Sequence, residues 1–165
     1  MKITEDYKGL KRVKCGTCVI KGDLEVTEDL EIELRDKLIV TGSIFVNGNI
    51  KVKRDIEVKG CIAAGGNISA GGSIEANFGI TAGGNIETCG DIETLFSITA
   101  GRNIKSLFGI EAGHNIMAGD GIASKCGAVD AEQDIKAWNN IEARRRIRAG
   151  GIIMAGGCFM EGGKQ

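Results

Sequence analysis

Few residues in this chain have the type and spacing to do chemistry. Cys15-Gly16-Thr17-Cys18 has the CxxC spacing of half a zinc site or of a redox dithiol. Zinc needs four ligands, and no second CxxC or histidine pair follows, so Cys15 and Cys18 make only a weak metal candidate. Cys61, Cys89, Cys126 and Cys158 are scattered singly, and His114 is the only histidine, too little for a triad. Glu57, Glu75, Glu93 and Glu111 recur at intervals of eighteen, with Asp55 and Asp91 two residues before the first and third. Acid–base work requires carboxylates in contrasting environments, whereas a regular ladder gives each one the same surroundings. No P-loop, HExxH or G-x-S-x-G sequence is present. The expectation is a protein without enzymatic activity, catalytic residues or cofactor.

The elements that must position these side chains follow from a count of six. From Leu38 an aliphatic residue recurs every sixth position, through Ile44, Ile50, Ile56, Ile62 and so on to Ile122, without a skip. The same count appears earlier at Cys18, Leu24 and Leu30, and later at Ile135, Ile141, Ile147 and Ile153, after a one-residue slip near Cys126. Two residues after each aliphatic position sits Val or, from 64 on, mostly Ala. The two share parity, so on a strand both face inward and the residue between them, usually polar, faces out. Asn or Asp often precedes the aliphatic residue, with Gly nearby, which suits corners that need positive φ or side-chain-to-backbone bonds. Six is not a helical period, and 26 glycines in 165 residues would weaken every helical turn. The pattern predicts an all-β fold, a single-domain parallel β-solenoid of triangular section with about eighteen residues per coil.

Sorting the outward positions by eighteen tests the coil. One face carries Ile39, Glu57, Glu75, Glu93 and Glu111; a second Phe45, Ala63, Thr81, Thr99 and Met117; the third Lys51, Ser69, Glu87, Lys105 and Ala123. Chance gathers that many glutamates on some face roughly one time in twenty. The expected organisation is an N-terminal cap over 1–17, the solenoid over 18–157 and a tail over 158–165.

The stretch Gly65-Gly66-Asn67-Ile68-Ser69-Ala70-Gly71-Gly72-Ser73-Ile74-Glu75-Ala76 resembles the β-helical segments of bactofilins and of flagellar assembly protein A. The resemblance covers about residues 16 to 157. It implies a right-handed β-helix and, from the bactofilins, end-to-end polymerisation as a cytoskeletal scaffold without nucleotide. Left-handed β-helix acyltransferases also repeat in sixes, but they place Ser, Thr, Ala or Val where this chain has Gly42, Gly48, Gly60, Gly66, Gly72, Gly84 and Gly90, and they use a histidine base. That reading stands as a remote alternative.

Candidate contact surfaces remain. The ladder Asp55, Glu57, Glu75, Asp91, Glu93, Glu111 has little compensation beyond Lys37, Arg54 and Lys59. Neighbouring charges 4.8 Å apart repel by roughly 0.9 kcal/mol even in bulk water. Such a face either is a solvated surface with raised carboxylate pKa values, or binds a basic protein surface or mimics nucleic acid, as a small phage anti-defence inhibitor would. Phe78, Phe96 and Phe108, with Leu95 and Leu107 beside them, share the parity of the inward residues, which places them inside the prism; facing outward they would form an apolar rim. Arg144, Arg145, Arg146 and Arg148 are the one basic cluster. At the C-terminal end Ile152, Ile153, Met154, Phe159 and Met160 continue apolar with no cap helix, which predicts end-to-end contact with another copy, as a dimer or a filament. The charge balance, 21 basic against 22 acidic residues, argues against direct nucleic-acid binding. No signal-like segment or run near eighteen apolar residues occurs, so a cytoplasmic protein with reduced thiols and no membrane contact is expected.

Overall fold

A computed structural model describes residues 1–13 and 16–162. Three parallel sheets form the walls of a β-solenoid. Strands of three residues, Ile–x–Ala or Ile–x–Val, alternate buried, outward, buried along nearly the whole chain. The chain visits the sheets in rotation, so each strand pairs with the one a coil away: Ile62 lies over Ile44 and under Ile80, and Ile74 over Ile56 and under Ile92. The neighbours are eighteen residues apart, as the spacing predicts. The first coil takes twenty, from Cys18 to Leu38, and the coil containing Cys126 and Gly127 takes nineteen, from Ile110 to Val129. With strands about 4.8 Å apart, the eight coils make a rod of roughly 40 Å. The stacking continues through the strand Phe159–Glu161, past the boundary at 157 expected from the repeat.

The inward columns of Ile, Leu, Val and Ala make one continuous core, with Ile44, Ile80, Ile98 and Ile116 fully buried. A three-residue strand has no stability of its own; it is held by neighbours above and below and by apolar area removed from water. Corners are tied coil to coil. The Asn49 side-chain oxygen accepts from the Asn67 backbone N–H at 2.8 Å, Asn67 does the same for Asn85, and Asn85 for Asn103. Asp55, Ser73 and Asp91 repeat the device at another corner, ending on the Gly109 N–H. The corner bonding expected of Asn and Asp is therefore present.

The other expectation for the corners, positive φ, holds among the described glycines only at Gly16 and Gly22. Most corner glycines answer to a different constraint, the close stacking of successive corners. A Cβ on Gly83 would lie 2.2 Å from the Gly65 carbonyl oxygen.

At the N-terminal end the strand Lys2–Ile3 pairs with Leu30–Ile32, and Leu10–Val13 runs antiparallel to Thr17–Ile20. Ile3 is buried, and Tyr7 and Leu10 pack on the core, whereas Val13 is exposed. No helix among the described residues is long and apolar enough to cross a membrane.

Because the core is one column of stacked side chains, truncation should hurt most where neighbours exist on both sides. Ile80→Ala is expected to cost about 2–5 kcal/mol. Ile153→Ala, on the last coil, should cost about 1 kcal/mol or less. Thermal or denaturant unfolding followed by circular dichroism measures the difference.

Candidate contact surfaces

The register places Glu57, Glu75, Glu93 and Glu111 on consecutive rungs of one sheet, pointing outward between buried neighbours. Ile39 lies below them; Asp130 and then Arg148 lie above. Those last two were hidden by the slip near Cys126, which moves the count from eighteen to nineteen; with the slip included, Glu111 leads to Asp130 and Asp130 to Arg148. Asp55 and Asp91 sit on the corner that enters this sheet, each accepting from a backbone N–H one coil up.

The ladder is not uniform. Lys37 reaches Glu57 at 2.6 Å and Glu75 at 3.6 Å, and Lys59 also contacts Glu57. These cations hold the Glu57 carboxyl below its ordinary range. Glu93, two rungs higher, has no basic partner among the described residues. Burial raises its pKa, reinforced by Asp91, Glu111 and Glu75. Asp130 is clamped by Arg146, with contacts of 2.7 and 3.1 Å. Along Glu75, Glu93, Glu111 and Glu132 runs a shallow groove of about 250 Å³, walled by Leu95.

The aromatic residues face solvent, not the prism interior: Phe78 is 53% exposed, Phe108 49%, and Leu95 67%. Phe96 is likewise exposed and Leu107 partly so. The inward assignment failed because parity holds only along a strand, and all three Phe occupy bends between strands, where the alternation is interrupted. Phe78, Phe96 and His114 stack on successive coils, with centroids 5.4 and then 4.9 Å apart. This column lines the far edge of the acidic sheet. Leu107 and Phe108 lie at the near edge, between two grooves of about 570 Å³ each.

Beneath the near corner the sequence conceals a polar feature. Thr88, Ser106 and Ser124 take inward positions that in most strands hold Ala or Val, and they are buried. Their hydroxyls donate to the carbonyls of Gly72, Gly90 and Phe108 respectively. Buried hydroxyls are tolerated when so bonded. They brace the corner that carries Phe108 and the extra residue at Gly127. The replacement of Ala by Thr and Ser at eighteen-residue intervals was the available signal.

Arg144, Arg145 and Arg146 form the corner entering the acidic sheet at its last rung, and Arg148 follows on the sheet itself. Cys15 lies outside the described residues. Cys18 is buried in the core, and burial raises its thiol pKa. Among the described residues no group of three or more His, Cys, Asp or Glu is placed to hold a metal ion. No protein-family model, curated protein or solved structure matches the chain.

The two ladder glutamates should respond oppositely to neutralisation. Glu57 is stabilising when ionised, a contribution present above its unfolded pKa and lost as pH falls through its lowered folded value. Glu93 binds its proton more tightly folded than unfolded, so ionisation costs stability as pH rises through its raised value. At pH 7 Glu57→Gln should lower the melting temperature and Glu93→Gln should raise it. Both differences should shrink towards zero well below pH 4, where the wild-type carboxyls are protonated too.

Proposed function

We propose that this β-solenoid acts by contact, as a structural protein that associates with another copy of itself through its C-terminal edge. The observation that carries this reading is the state of the last coil. Its strands Ile147–Ala149, Ile153–Ala155 and Phe159–Glu161 are each the outermost strand of their sheet. Among the described residues nothing pairs with their outer backbone edges, and inward residues that are buried in the middle coils are 37% exposed at Ile153 and 49% at Phe159. Ile152, Met154 and Met160 add exposed apolar surface around that end. Open strand edges beside bare core are a template for pairing.

The two ends of the rod differ, which bears on what such pairing would build. At the other end the outermost strands are Lys2–Ile3, Leu10–Val13 and Leu24–Val26, and there Ile3, Leu24 and Val26 remain buried. The bare core of the C-terminal end therefore finds its best match in the same end of another copy, favouring a two-fold pair over a growing head-to-tail fibre. The repeat's resemblance to bactofilin segments agrees with end contact.

A second reading, docking of a basic protein on the acidic sheet as a binding inhibitor would do, is favoured by one observation: the carboxylate groove has Leu95 as its wall and the Phe78–Phe96 stack at its border. Reversing Glu75, Glu93 and Glu111 to Lys would abolish such docking.

Light scattering coupled to size exclusion over a hundredfold concentration range tests the main reading. In 0.5 M salt, which screens charge-driven contacts, the expected result is a rise above the 17.4 kDa monomer mass that Phe159→Asp suppresses. A wild-type chain that remains at the monomer mass throughout would overturn it.

A further inference from the structure

We infer that the acidic sheet is also a self-complementary surface, on which a second copy docks antiparallel so that Arg148 of each chain meets Glu93 of the other. The inference shares with the previous section the view that the chain works by contact, but it concerns a lateral surface and not the end.

The register supplies the geometry. Glu93, Glu111, Asp130 and Arg148 occupy four consecutive rungs of one sheet. A two-fold axis parallel to the strands, level with the midpoint between Glu111 and Asp130, brings two such faces together with the rods antiparallel. It sets Arg148 against Glu93 twice, once on each side of the axis. At the centre Glu111 faces Asp130, whose charge is already neutralised within its own chain by Arg146. The axis preserves each corner, so the corner entering the sheet meets its own equivalent. There Arg145 and Arg146 come opposite Gly90 and Asp91, and Phe108 opposite Gly127 beside Cys126.

Shape agrees with charge. Phe108 protrudes from one rung, while the next is the site of the inserted residue; Phe108, Cys126, Gly127 and Arg145 share one groove of about 570 Å³. At the opposite corner the exposed pair Leu95 and Phe96 comes to face Gly150 and Gly151, with exposed Ile152 beside them. Bulky residues thus meet glycines at both borders. Neither Arg148 nor Glu93 nor Glu111 has an ion pair among the described residues. The basic C-terminal end of the sheet and the acidic stretch without ion pairs among the described residues therefore complement each other at a separation that a two-fold axis can satisfy.

Four rungs of about 4.8 Å across a face of about 20 Å give roughly 800 Å² of total buried surface, below a standard interface. The pair is accordingly weak and, being charge-driven at a solvated rim, sensitive to salt.

The test uses sedimentation velocity in the Phe159→Asp background, which blocks the end contact, so that failure of one reading is separable from failure of the other. At about 20 mM salt a concentration-dependent dimer is expected, weakened at least tenfold in 0.5 M salt. Arg148→Glu alone and Glu93→Arg alone should each weaken it tenfold or more. The two combined in one chain should restore it, because the swapped pair re-forms on both sides of the axis. Circular dichroism melts confirm that each variant is folded. A monomer in the Phe159→Asp background, a single reversal without effect, or a double variant as weak as the singles would overturn the inference.

Discussion

Everything in this molecule depends on one contact repeated along the rod: a buried aliphatic side chain resting on its counterpart one coil below. Strands of three residues have no independent stability, and outside the antiparallel pair at the N-terminal end they pair in parallel, so each hydrogen-bond partner there lies eighteen residues or more away in the chain. The fold exists because the inward columns remain in register. The corner ladders of Asn, Asp and Ser keep that register by tying each bend to the next, with the side chain of one coil accepting from the backbone of the coil above.

Stacking in register also multiplies whatever a coil carries outward. One glutamate becomes a ladder with mutual repulsion, and the chain relieves it unevenly: Lys37 and Lys59 at the lower end, Arg146 near the upper end, and no cation among the described residues at Glu93. One phenylalanine at a bend becomes an aromatic stack that ends in His114. Several departures from perfect repetition, namely the hydroxyls at Thr88, Ser106 and Ser124 and the extra residue at Gly127, gather under one corner beside Phe108. A regular scaffold makes irregularity visible, and irregular positions are where a repeat protein differs from its own template.

The period of six made the fold legible, because Ile at every sixth position leaves one arrangement that buries them all. The three outward faces were equally legible, since side-chain parity along a strand is fixed by geometry and the coil length follows from the spacing. The corners were not. Phe78, Phe96 and Phe108 share parity with the core yet face solvent, because the alternation rule lapses at a bend. Glycine at the corners reads as a demand for positive φ, but a Cβ at Gly83 is excluded by the carbonyl of the coil below. The places of Asp130 and Arg148 on the ladder are not legible in a count of eighteen, because a single inserted residue displaces it. What each surface touches is a property of two molecules, and a one-chain repeat pattern contains it only as far as the surface is complementary to itself.

Hydrogen exchange read by mass spectrometry, at two protein concentrations a hundredfold apart, tests the central claim most directly: that each coil is held by its neighbours and that the last one lacks one. Amides of the middle coils, from Ile44 to Ala143, should be strongly protected at both concentrations. Those of Ile147–Glu161 should exchange quickly in the dilute sample and become slower in the concentrated one, as a second chain covers the open edge. Protection of the last coil equal to that of the middle coils, and unchanged by concentration, would contradict the account.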